Sequence, residues 1–396
     1  MGFGTVVLLA LVLLHSYLWW RLVRSTTRPG RARRRLTLLT VVLALLPAAA
    51  VLTRRELDPA TAAPLAWAGF IWLGVAFYAF LALLALEPVR LLLRRWARRR
   101  PAPGPGAGVP AAVPDPSRRL FLARGLAVTA GTVALGTAGT GLYLANSPPV
   151  VRRVPVTLAG LDPALDGLRV VTFSDGHLSS TYGGRRFERL VELVNEQRPD
   201  VVAIVGDLVD GEVDELREEA APLADLVSRD GVFFVTGNHE YFVDTAAWLR
   251  HLPTLGVQVL RNERVPIRRG SAYVDLAGID DRTAALSGVP GHGADLDAAL
   301  DGRDDSVPVV LMAHQPVQVA AARAAGVGLQ LSGHTHGGQL WPFDYAIRLD
   351  QPAVEGLSRF GDTQLYVTSG AGYWGPPMRI GARPEVTVVE LRSPTG

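Results

Sequence analysis

Residues 168–177 read LRVVTFSDGH. A short apolar run ends abruptly in Ser-Asp-Gly-His. Such a run, bounded by turn residues, is the pattern of a strand buried on both faces. It recurs downstream. DVVAIVG (200–206) leads into GDLVD (206–210), and GVFFVTG (231–237) into GNHE (237–240). VPVVLMAH (307–314) leads into AHQP (313–316), and VGLQLSGH (327–334) into GHTH (333–336). Amphipathic segments over Arg185–Gln197, Val213–Val227, Thr245–Leu252 and Val317–Ala325 predict helices between them. YVDLAGI (273–279), QLYVTSG (364–370) and EVTVVEL (385–391) add further strands. Strand–helix alternation predicts an α/β sheet with helices outside. Sites in such sheets form at the carboxyl ends of the strands. Five strand ends therefore deliver Asp, Asn and His to one rim.

Of eight histidines, five lie in these motifs: His177, His239, His314, His334 and His336. His15 lies in an apolar N-terminal stretch, and His251 and His292 read as ordinary surface or core residues. Asp175-x-His177 and His334-x-His336 are i, i+2 pairs, which point to one side of an extended backbone. Each pair reads as a bidentate jaw. Gly176, Gly333, Gly337 and Gly338 allow sharp turns and leave room for a ligand. A His/Asp/Asn donor set suits Zn, Mn or Fe. Asp207, between the two pairs in sequence, is a candidate bridge between two ions. A lone His-x-His or Gly-Asp is usually incidental or a turn; five motifs in order, each at a strand end, form a joint signal.

This set resembles the calcineurin-like metallophosphoesterase superfamily over roughly Leu168 to Leu391. The resemblance extends to GHTHGGQ and to a late glycine-rich segment, SGAGYWGPPMRIGARPE (369–385), as in bacterial membrane-associated members. It implies a two-sheet αββα sandwich. It implies that Asp175, His177, Asp207 and His336 hold one divalent ion. A second is implied on Asp207, Asn238, His314 and His334. His239 would sit over the phosphate as proton or hydrogen-bond donor, and Asp210 would orient a histidine. Two-metal sites activate water for in-line attack on a phosphoester. Glu240 and Tyr241 read as loop and helix-cap residues. Arg379 and Arg383 are weighed as contacts to substrate phosphate, and Trp341, Tyr373 and Trp374 as pocket, bilayer-surface or packing residues.

The first third reads as membrane. Phe3–Trp20, Leu36–Leu52 and Ala62–Leu86 are uncharged over membrane-spanning or near-spanning lengths, and Leu120–Ala145 is uncharged after Arg124. Pro47 is a candidate kink. The expected organisation is three spans in 1–90, a Pro/Gly/Arg-rich linker at 91–119, a fourth span or signal anchor at 120–145, and the phosphoesterase domain at 148–396. Residues 1–146 carry 18 Arg and 4 acids, net +14; residues 147–396 carry 22 Arg and 33 acids, net −11. Arg21–Arg35 holds seven Arg and Arg90–Arg124 nine. The positive-inside rule puts both loops in the cytoplasm and the phosphoesterase domain outside. SRRLFLARG (117–125) resembles a twin-arginine export signal, and no Ala-x-Ala cleavage site stands near 145.

The chain has no cysteine and no lysine. Disulfides, thiolate ligands and a Cys nucleophile are excluded. The acidic soluble part argues against a nucleic-acid partner, which calls for basic stripes, and so against a nuclease. A non-catalytic receptor on the same fold is the other alternative. The expected partners are membrane lipid and a phosphoester substrate, lipid- or envelope-linked by proximity.

Overall fold

The computed structural model describes residues 3–53, 57–98 and 116–394. The chain forms two compact units, Met1–Leu57 with Thr61–Thr140, and Asp58–Ala60 with Gly141–Gly396. The first holds α1 (Phe3–Leu18, continued by a π-helical turn Trp19–Arg24), α2 (Arg31–Thr53), α3 (Pro59–Ala85), α4 (Glu87–Arg98) and most of α5 (Pro116–Ala145). Among the described residues, four stretches are long and apolar enough to cross a membrane: Thr5–Arg24, Arg31–Thr53, Pro59–Ala85 and Arg118–Ala145. Pro47 lies inside α2, which runs on to Thr53. Residues 91–98, placed in the linker by sequence, are helical within α4; 99–115 lie outside the described residues. Arg21 forms an ion pair with Glu87, and Arg124 Nε donates to Thr26 O at 3.1 Å. The end of the first helix, the start of α4 and the start of α5 therefore share one side of this unit.

The second unit contains two six-stranded sheets. The first comprises β1 (Val150–Thr157), β2 (Arg169–Phe173), β3 (Val201–Val205), β4 (Val232–Val235), β5 (Val257–Val259) and β12 (Glu385–Arg392). Their spatial order is β1-β12-β2-β3-β4-β5, and only the β12–β2 pairing is antiparallel. The other sheet comprises β6 (Glu263–Arg269), β7 (Ala272–Gly278), β8 (Val309–Met312), β9 (Leu329–Ser332), β10 (Gly356–Phe360) and β11 (Thr363–Val367). Its order is β10-β11-β9-β8-β7-β6, with antiparallel pairs at both ends.

The continuous apolar runs follow from burial on both faces. In β3, Val201, Ala203 and Val205 pack against Val310, Met312 and Leu331 of the other sheet. Val202 and Ile204 face the opposite way, into a core with Phe187, Leu190 and Val194 of α6 (Arg185–Glu196), Leu216 of α7 (Val213–Ala220) and Trp248 of α8 (Thr245–His251). Val309 and Leu311 of β8 meet Ala299 of α9 (Leu296–Leu300) and Ala322 of α10 (Val319–Ala324). The result is the expected αββα sandwich. The helix expected over Val213–Val227 stops at Ala220. Pro222 lacks the N–H and crowds the carbonyl four residues back, so the chain tightens into a 3₁₀ turn, Ala221–Asp225.

Candidate metal centre

All five motifs lie just beyond the ends of β2, β3, β4, β8 and β9, so both sheets contribute to one cleft. The backbone there is not extended. Asp175, His177, Asp207, His334 and His336 all have φ between 47° and 72°. A non-glycine residue in this left-handed region is uncommon and costs about 1–2 kcal/mol, and such residues cluster at functional sites. Two glycines allow the close approach of these turns. A Cβ on Gly237 would collide with the Asp207 carboxylate, and one on Gly333 with Ser174 and Asp175.

Among the described residues three clusters of Asp and His side chains converge here; one, His177 with Asp210 and His239, is bonded internally, and the other two form candidate donor groups. In the first, His177 Nε2 and His336 Nε2 lie 3.0 Å apart, with Asp175 Oδ1 3.4 Å from His336 Nε2. In the second, Asp207, His314 and His334 converge, with His314 Nε2 3.2 Å from Asp207 Oδ2. Asp207 Oδ2 also lies 3.9 Å from His177 Nε2 and so faces both groups. Asp175 and His177 fall in one group, through left-handed rather than extended backbone. The GHTH turn separates its two histidines, sending His334 to the second group and His336 to the first.

The donor set fits divalent cations. Asn238 Oδ1 is buried and makes no hydrogen bond among the described residues, and His314 Nε2 makes no directed one despite its approach to Asp207. Burial, then the charge of His314, lowers the His334 pKa to about 3. Burial, then the charge of His177, holds His336 well below the usual histidine range. Neutral imidazoles carry the lone pair that a metal ion takes.

Four further groups set this geometry. Asp210 Oδ1 accepts from His177 Nδ1 at 3.0 Å and from His239 Nδ1 at 2.6 Å, so one carboxylate orients two rings. His239 N donates to Asp207 Oδ1 at 2.8 Å. Burial opposes protonation of His239, but the Asp207 and Asp210 carboxylates raise its pKa to about 9. Glu240 is a third positioning group, and the loop-and-cap reading understates it. Its fully buried carboxylate accepts from the N–H groups of Asp207 (3.0 Å), Leu208 (2.8 Å), Val209 (3.3 Å) and Gly237 (2.6 Å), holding two motif loops together. Asp281, which the motifs do not include, accepts from Gln315 Nε2 at 3.0 Å and so steadies the loop of His314. His251 and His292 pair with Thr254 and Tyr241, apart from both groups.

Arg379 is not a substrate contact. It is fully buried, and its guanidinium donates to the carbonyls of His336 and Ser369 at 2.6 Å, to Gly372 at 3.0 Å through Nε, and to Gly370 at 3.3 Å. It ties the late glycine-rich segment to the GHTH turn. Replacing it with Leu strands those carbonyls. Arg379→Leu should lower unfolding stability by about 3 kcal/mol, read as a shift in the urea midpoint. Arg383 is exposed.

A two-sheet sandwich with Asp, Asn and His converging at its strand ends defines a metallophosphoesterase-type domain. The profile described as calcineurin-like phosphoesterase matches residues 168–338. The chain is 36% identical over 278 residues to an uncharacterized metallophosphoesterase of Helicobacter pylori, covering 70% of this chain and 73% of that protein. It is 30% identical over 290 residues to the uncharacterized metallophosphoesterase YkuE of Bacillus subtilis, covering 70% and 98%. A transmembrane protein with metallophosphoesterase domain from Bos taurus is 42% identical over 289 residues, covering 70% of this chain and 64% of the bovine length. The match thus spans just under two thirds of the bovine relative. The chain belongs to the calcineurin-like metallophosphoesterase family.

Proposed function

We propose that the chain is a membrane-anchored phosphohydrolase that holds two divalent ions and cleaves a phosphate mono- or diester at the outer face of the cytoplasmic membrane. The observation that carries this reading is Asp207, whose carboxylate oxygen faces both donor groups. Asp175, His177, Asp207 and His336 would hold one ion, and Asp207, Asn238, His314 and His334 the other. When bound, the ions (Mn, Fe or Zn) supply water activation and neutralise charge building on phosphorus. The chain's own residues do the rest. Asp210 engages Nδ1 of His239, leaving Nε2 to donate to the departing oxygen. Glu240 holds the Asp207 loop against the GNHE loop.

The orientation follows from charge. The Arg-rich end of the first helix, α4 and the start of α5 share one side, which the positive-inside rule makes cytoplasmic. Arg118 and Arg119, opening α5, would then serve as a twin-arginine-like export signal for a domain folded around its metals.

The test is purification of the full chain in detergent, metal analysis, and assay on aryl mono- and diesters with Mn, Zn and Fe. Two metal equivalents and turnover are expected. A folded, metal-loaded protein with no turnover on any ester would instead favour a binding role. An alkaline-phosphatase-type reporter fused after Ala145 should be active; an inactive but stable fusion would reverse the topology.

A further inference from the structure

The mouth of the metal centre is flanked by exposed aromatic groups. Phe242 and Trp374 pack on the His239 ring at centroid distances of 5.1 and 5.6 Å, yet are 67% and 48% exposed. Trp374 is tied to Gln339 by two hydrogen bonds, Trp374 N to Oε1 at 3.0 Å and Nε2 to Trp374 O at 2.8 Å. Two residues on, Trp341 N donates to Ile380 O at 2.8 Å. Ile380 and Met378 close around Gly141, where an added Cβ would lie 3.1 Å from each, and Arg379 N donates to Gly141 O at 2.9 Å. Gly141 belongs to the last turns of α5, the fourth candidate span. From Trp341 the chain continues through a short helix α11 (Asp344–Ile347). Over this stretch Trp341, Phe343, Tyr345 and Leu349 are each more than half exposed.

Exposed apolar side chains therefore run, within this one unit, from the metal centre to the residues that pack on the Gly141 turn of α5. Contiguous exposed apolar surface marks a contact site, and Trp and Tyr are the residues that settle at a bilayer's headgroup boundary. We infer that this aromatic surface rests in the interfacial layer of the membrane that α5 enters, and that the phosphoester cleaved is a lipid headgroup presented from that layer. The substrate half of this inference rests on the hydrolytic reading above; the docking half does not.

Because the chain has no cysteine, Phe343→Cys creates a sole thiol for a nitroxide label. The full chain is placed in nanodiscs of zwitterionic and anionic phospholipid. The label should collide more with oxygen than with a water-soluble nickel chelate, as should one at Leu135→Cys in α5. A label at 343 dominated by the chelate overturns the docking surface. Separately, a combined Trp341→Ser, Phe343→Ser and Leu349→Ser variant is assayed on two substrates. Turnover of a fluorescent phosphoester headgroup on diacylglycerol in the nanodisc should fall at least tenfold. Turnover of a water-soluble aryl phosphoester should stay within twofold. Equal loss on both, or none on the lipid, overturns the inference. A membrane-buried label with soluble turnover but no lipid turnover overturns the substrate class alone. A buried label with no turnover on either ester retains the docking surface and removes the hydrolytic reading.

Discussion

Asp207→Asn should reduce kcat by about 10³-fold or more and release at least one equivalent of metal. The substitution is nearly isosteric, so the loop keeps its shape: Gly237 still leaves room for the side chain, and the bond from His239 N to the Oδ1 position (2.8 Å) can persist. What is lost is a negative charge at the one oxygen that faces His177 at 3.9 Å and His314 at 3.2 Å. An amide oxygen is a weaker donor to a divalent ion than a carboxylate, and the buried histidines on both sides cannot replace the charge. Metal content by plasma mass spectrometry and steady-state kinetics read the two effects separately. A variant with full metal occupancy and unimpaired turnover would remove Asp207 from the centre.

His239→Ala should have the opposite signature. Both metals stay, because neither donor group needs this ring. Turnover should fall about 10²–10⁴-fold, the usual worth of a positioned proton donor. The loss should depend on the leaving group. An alkyl phosphoester, whose departing oxygen needs a proton, should lose most, and a nitrophenyl ester, which leaves unaided, least. Uniform loss across leaving groups would mean that the ring positions substrate without donating. The Asp210 carboxylate would then bond His177 alone, and the metal stoichiometry reports whether that bond suffices to hold the ring.

How much of this was legible in the sequence depends on where each residue sits. The central strands announce themselves because both faces are covered, so VVAIV has no polar position to give up. The four strands that the sequence reading omits, β1, β5, β6 and β10, are the edges of the two sheets. Edge strands carry charge to discourage pairing with other chains, as Arg152 and Arg153 do in β1 and Glu263, Arg264, Arg268 and Arg269 in β6, and that charge masks the strand pattern. The site motifs were legible as a set, and their convergence at the strand ends follows from topology. Their pairing was not, because i, i+2 reasoning assumes extended backbone, whereas Asp175, His177, His334 and His336 are all left-handed, and side-chain direction in such turns is not set by alternation. Glu240 was within the third motif, but four backbone donors gathering on one carboxylate is a tertiary fact with no local signature. Arg379 misled for a related reason. A basic residue near a phosphate site suggests a ligand contact, yet burial among carbonyls assigns it to structure.

The pairing of β1 with β12, eight residues against eight, bears on how the protein is made. β1 is the first strand after the fourth candidate span, α5, and β12 is the last among the described residues, lying between β1 and β2. A ribosome releases them at opposite ends of the domain's synthesis. The sandwich cannot latch while its tail is still emerging, and a chain clipped before residue 385 would leave the tether-proximal strand dangling and the neighbouring sheet margin open to aggregation. The first strand of the domain is thus the last to find its neighbour, and the sheet order makes its pairing wait on β12.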